Sequence, residues 1–150
     1  MTGALIGRHA EVQRAVDAVK RSRSGEARTL VVRGEAGIGK SRFLDEVLAQ
    51  ADLLGHTVHD ARLGDLDRFV PFAAFVLALG PSLAGERDPE LWATTDALAA
   101  ALGGHDLPLP RLVDELEGLL RGRSGRAPVV LAVDDLHAAD LDTLVVLSQL

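Results

Sequence analysis

Between Gly34 and Ser41 the chain reads GEAGIGKS, three glycines followed by a lysine and a hydroxyl. The lysine is uncommon here, because Lys20 and Lys40 are the only lysines among 16 Lys and Arg residues. Gly34, Gly37 and Gly39 permit backbone conformations closed to other residues. Successive N–H groups of the loop, those of Glu35, Ala36 and Ile38 included, can then turn toward one anion. Lys40 carries a compact ammonium on a flexible stem, suited to the outer phosphates of a nucleotide, where a planar guanidinium fits less closely. Ser41 offers a hydroxyl to Mg²⁺, an ion that keeps several waters and takes substrate phosphate oxygens as ligands. Arg42 follows in the first turn of a predicted helix whose N-terminal dipole favours negative charge.

A second group of chemically suited residues lies in PVVLAVDDLHAAD, 128–140. Asp134 and Asp135 end an apolar run that reads as a strand, and ligands of open parallel sheets gather at the carboxyl ends of strands. Asp134 reads as the Mg²⁺ ligand, directly or through water. Asp135 reads as the group that orients or polarises an attacking water. Alone, two aspartates after a strand describe a turn or a helix cap; beside a phosphate loop the metal reading is preferred. His137 reads either as a group that supports the metal ligands from behind or, the preferred reading, as a satisfied loop histidine.

These residues need elements to position them. Val12, Ala15, Val16 and Val19 recur at helical spacing, predicting an amphipathic helix over 9–21. TLVVR (29–33) is predicted as a short buried strand leading into the glycine loop. Phe43, Leu44, Val47, Leu48 and Ala51 then define the apolar face of the helix that leaves it. This strand–loop–helix order is the context the pattern G-x-x-x-x-G-K-[ST] requires. GHTVHDARL (55–63) is a weaker strand. An apolar helix is predicted from Pro71 to about Leu79, and another from an Asp88 cap and Pro89 to about Leu102. Leu112, Val113, Leu116, Leu119 and Leu120 mark a further helix, and VVLAV (129–133) is a fully apolar strand. Asp140 or Asp142 caps a last helix, predicted to be still running at Leu150. Trp92, Phe69, Phe72 and Phe75 read as packing groups. Alternating strands and helices imply a parallel sheet with helices on its faces.

Bulk properties narrow the classes. A chain of 150 residues, 47% hydrophobic and 25% charged, has the size and composition of one globular domain. Its formal charge of −6 argues against direct nucleic-acid binding. Without cysteine there are no disulfides or thiolate metal sites. No signal peptide is legible, and the longest apolar run, FVPFAAFVLALG, is too short to span a bilayer. A cytoplasmic protein without membrane partners is the expectation.

Four segments, LIGR (5–8), GEAGIGKSRFL (34–44), PFAAFVLAL (71–79) and VVLAVDDLHAAD (129–140), together resemble an AAA+/STAND-type P-loop ATPase. More narrowly, the chain is similar to the origin-recognition-like AAA module at the N-terminus of large ATP-binding LuxR-type transcriptional regulators. The resemblance implies an α/β fold, the three-layer αβα P-loop NTPase with a parallel sheet. It implies ATP and Mg²⁺ as ligands, with Ile6, Gly7 and Arg8 near the adenine base. The family usually has tryptophan where Ala138 stands. In this class a strand carrying a γ-phosphate sensor inserts between the acidic-pair strand and the P-loop strand. Residues 1–150 therefore read as the N-terminal part of such a domain, lacking that sensor strand and the small domain.

The expected function is an ATP–Mg²⁺ switch in a larger signalling or transcription regulator, with weak or absent hydrolysis in this segment and self-association through the ATPase domain in the parent. A P-loop small-molecule kinase is the alternative, disfavoured because no Arg-rich lid follows the middle helices. A nucleotide-independent interaction module is a third reading, disfavoured because leucines at helical spacing usually form core. A GTPase is disfavoured by the lack of an N-K-x-D motif.

Overall fold

The computed structural model describes residues 8–25, 28–80, 109–121 and 127–150. They fall into two compact units, one within Met1–Val58 and Ala127–Val130, the other within His59–Arg126 and Leu131–Leu150.

In the first unit, α1 (His9–Ser22) buries Ala15, Val16 and Val19, three of the four apolar positions set at helical spacing. It packs on α2 (Lys40–Leu53), which buries Phe43, Val47 and Ala51. Ala15, Val19, Phe43, Val47 and Ala51 form one cluster, closed by Val12, Leu54, Val58 and Val130. Two polar contacts fasten the C-terminal ends of the helices. Arg23 Nη1 donates to Leu54 O at 2.8 Å. The buried His56 places Nε2 3.0 Å from Ser22 Oγ, whose own proton goes to Val19 O at 2.7 Å. That assignment makes His56 the donor to Ser22.

The second unit holds α3 (Ala73–Leu79), α4 (Leu109–Arg121) and α5 (Leu141–Leu147). Phe72, Phe75, Leu79, Leu112, Val113, Leu116 and Val146 build its main core, against which Leu131, Leu147 and Leu150 pack. With few aromatic residues in the chain, the fully buried Phe75 is the largest side chain at its centre. A smaller cluster joins Leu63, Ala73, Ala74 and Ala138.

Strands β1 (Thr57–Arg62) and β2 (Val129–Asp134) form a two-stranded sheet. Thr57 N–H donates to Pro128 O at 3.0 Å, and Leu63 N–H to Asp134 O at 3.3 Å. Both partners advance together along the chain, so the pair is parallel. Alternate residues His59 and Ala61 of β1 are buried, as one covered face requires. The mixed helix-and-strand architecture with a parallel sheet agrees with the expected αβα P-loop NTPase-like fold.

Several expectations are corrected. TLVVR is not a strand: residues 29–33 have no regular structure, and Leu30 and Val31 are 51% and 64% exposed. A strand is defined by its neighbour, and β-branched composition cannot supply the ladder when no described strand pairs with it. The middle helix starts at Ala73 rather than Pro71, because Phe72 stands at a left-handed φ of 57°. The last helix ends at Leu147, with a turn before Leu150. The strand expected at 129–133 is present as β2, with most of its residues half-buried. Phe69 is 75% exposed and is no packing group. The helix expected over 89–102, with Asp88, Pro89 and Trp92, lies outside the described residues.

Candidate functional site

The glycine loop belongs to the first unit and the acidic pair to the second. The loop owes its course to two left-handed residues, Gly37 at φ 76° and Gly39 at φ 91°. Gly39 is also the N-cap of α2. A left-handed residue followed by a helical one turns successive N–H groups to one side, as an anion cradle requires. The first i to i−4 bond of the helix runs from Phe43 N–H to Gly39 O at 3.0 Å. The amides of Lys40, Ser41 and Arg42 precede it and have no acceptor within the helix. No acidic side chain occupies that first turn to cancel the dipole.

Lys40 bends back over the loop. Its Nζ donates to Gly34 O at 3.0 Å and to Glu35 O at 2.9 Å. Ile38 N–H closes the same turn onto Glu35 O at 3.4 Å. A Cβ on Gly34 would stand 3.0 Å from Ile38 Cγ2, so the backbone there is approached closely. Glu35, Ala36 and Ile38 are exposed along the rim, Ser41 is half-buried and Arg42 exposed. The sequence-predicted residues from Gly34 to Arg42 are thus brought together as one loop and helix start. Arg8 is separate: half-buried, it precedes α1, and its carbonyl accepts Val12 N–H at 3.0 Å. Ile6 and Gly7 lie outside the described residues.

Asp134 is the last residue of β2 and is buried. Its Oδ1 accepts the Asp135 N–H at 2.9 Å, which fixes the carboxylate's orientation. Asp135 takes a left-handed φ of 54° and is exposed. That backbone turns the chain from the strand into a single 3₁₀ turn, Leu136–Ala138. His137 Nδ1 stands 3.7 Å from Asp135 Oδ1, both side chains facing solvent. Ala138 is 1% exposed. Among the described residues no three His, Cys, Asp or Glu converge as metal ligands. The Asp134 carboxylate is a hard oxygen donor, of the kind Mg²⁺ takes beside phosphate oxygens and water.

One participant was legible only as a helix cap. Asp140, 6% exposed, does cap α5, accepting Thr143 N–H at 2.9 Å and Thr143 Oγ1–H at 2.5 Å. It also accepts the Phe72 N–H at 3.1 Å. Burial works to raise the pKa of this carboxyl, but the bonds from the Thr143 side chain and the Thr143 and Phe72 amides outweigh it and hold it below the usual range. The D-x-x-T spacing signals the cap; nothing in it signals Phe72.

A comparison with known families matches residues 4–150 to the AAA ATPase domain, which carries nucleotide binding with it. No curated protein and no solved structure matches the chain. No helix among the described residues is long and apolar enough to cross a membrane.

Proposed function

We propose that the chain, which belongs to the AAA ATPase domain family, binds ATP with Mg²⁺ through residues 34–42 and the acidic pair. The observation that carries this reading is the left-handed Gly39 leading directly into α2, with the Lys40 ammonium folded over the same loop. In this reading the amides from Gly37 to Arg42 cradle the phosphates. Lys40 exchanges its carbonyl partners for the outer phosphate oxygens. Ser41 and Asp134 are the hard oxygen donors for Mg²⁺, which neutralises phosphate charge when bound. Asp135, exposed next to the buried Asp134, orients the attacking water. The resemblance supports assigning the segment Ile6, Gly7 and Arg8 to the adenine.

The biological role we infer is a nucleotide switch within a larger signalling or transcription regulator of the ATP-binding LuxR type. The ordered motifs along the chain support it. Hydrolysis is slow, and occupancy rather than turnover carries the signal. The test is equilibrium binding of labelled ATP with Mg²⁺ to the wild type and to Lys40→Ala. Equal affinities would defeat the phosphate-loop reading.

A further inference from the structure

Phe72 and Asp135 are the two residues other than glycine, among those described, that adopt positive φ. Such conformations cost free energy in side-chain-bearing residues and persist where surrounding contacts over-determine them. For both, the contacts lead to Asp140.

The connection is short. Asp135 opens a turn in which Ala138 N–H donates to Asp135 O at 2.8 Å and Ala139 N–H to Leu136 O at 3.1 Å. Before the turn, the Asp134 carbonyl is held by Leu63 N–H. After it stands Asp140, whose carboxylate gathers the amides of Phe72 and Thr143 and the Thr143 hydroxyl. Between these ends Ala138 packs against Leu63, Ala73 and Ala74, the last two in the first turn of α3. A helix cap alone would need only the Thr143 amide. The Phe72 bond does something else, because it ties the start of α3 to the end of the acidic turn.

We infer that Asp140 is a positioning residue for the acidic pair, its buried carboxylate fastening the Phe72 turn and α5 so that Asp134 and Asp135 hold their geometry. The inference rests on the reading of that pair as the Mg²⁺-side group of the nucleotide site. Partners that orient metal ligands change metal affinity without touching the metal.

The test measures ATP affinity of the full chain with Mg²⁺ and again with EDTA, for the wild type, Asp140→Ala, Asp140→Asn and Thr143→Val. The ratio of the two affinities reports the Mg²⁺ contribution and is insensitive to a uniform loss of folded protein. The expected result is a ratio lowered about tenfold in Asp140→Ala, with the EDTA affinity unchanged. Asp140→Asn keeps acceptors for the two amides and restores much of the ratio; Thr143→Val, which keeps the Phe72 bond, lowers it less than Asp140→Ala. Where Asp140→Ala fails to fold, Asp140→Ser takes its place, a shorter cap that serves the Thr143 amide but does not reach the Phe72 amide as well: a lowered ratio supports the inference, and a wild-type ratio overturns it. A wild type with a clear Mg²⁺ ratio that Asp140→Ala leaves intact overturns the positioning role alone. A wild type that binds ATP equally with Mg²⁺ and EDTA overturns the reading of the acidic pair, and the positioning role with it.

Discussion

The Lys40 ammonium donates to the Gly34 carbonyl at 3.0 Å, joining the start of the helix to the start of the glycine loop. With the second bond to Glu35 O, two main-chain carbonyls hold the cation. An incoming phosphate competes with these neutral dipoles, and the exchange favours the anion.

Lys40→Ala should weaken Mg²⁺–ATP binding by about tenfold or more, equivalent to ~1.4 kcal/mol. The same change should leave folding stability within about 0.5 kcal/mol, because the bonds it removes are exposed. Lys40→Arg should recover little of the affinity, since the guanidinium fork is broader and less flexible at its tip. Isothermal titration beside a urea melt checks both halves. Loss of binding with an equal loss of stability would mean that the loop itself had unfolded.

Gly39→Ala addresses the backbone directly. An added Cβ meets nothing within 4 Å, so crowding plays no part, but the residue stands at φ 91°. The left-handed conformation costs a residue with a Cβ about 1–2 kcal/mol. The substitution should lower stability by that amount or shift the loop toward a right-handed turn that loses ATP affinity. Gly34→Ala provides the contrast: its Cβ meets the Ile38 side chain at 3.0 Å, and Ile38 is exposed and free to move. Its effect should be the smaller one in the same two measurements.

What the sequence disclosed follows from how local each feature is. The glycine loop and the start of α2 at Lys40 were legible because three glycine positions and a helical apolar stripe fix that backbone within a few residues. The faces of α1 and α2 were legible for the same reason, and Phe43, Val47 and Ala51 are buried as their spacing requires. TLVVR misleads because a strand is a property of two segments, and apolar β-branched residues are equally compatible with the irregular, exposed course seen from Thr29 to Arg33. The bond between Phe72 and Asp140 was hidden by the 68 residues that separate them. The same holds for His56 and Ser22, 34 residues apart.

Ala138 stands where the resemblance to ATP-binding LuxR-type regulators implies tryptophan. Here it is 1% exposed and packed among Leu63, Ala73 and Ala74, a site already filled by small side chains. Ala138→Trp should overpack that cluster and destabilise the protein by about 1–3 kcal/mol. Ala73→Gly placed beside it should recover part of the loss if the clash falls on α3. Chemical denaturation of the single and double variants measures the coupling. A stable single variant would show that the cluster has room the contacts do not suggest.

Asp140 makes stability depend on pH with a defined sign. Its carboxyl is held below the usual range in the folded chain, so the ionised form is the one that folding favours. The contribution is fully present above the unfolded value of about 4 and is lost as pH falls through the lower folded value. Asp140→Asn keeps one acceptor oxygen for the Phe72 and Thr143 amides but turns the oxygen that accepts the Thr143 hydroxyl into an NH2 donor and removes the charge. It should cost about 1.5–3 kcal/mol at pH 7, the range for hydrogen bonds to a charged group. The gap between wild type and variant should stay constant from pH 7 to about 5 and close progressively below about 4. Because the other carboxyl groups titrate alike in both proteins, the difference in urea midpoint isolates this group. A gap that persists undiminished at low pH would show that the Phe72 and Thr143 bonds do not select the ionised carboxylate.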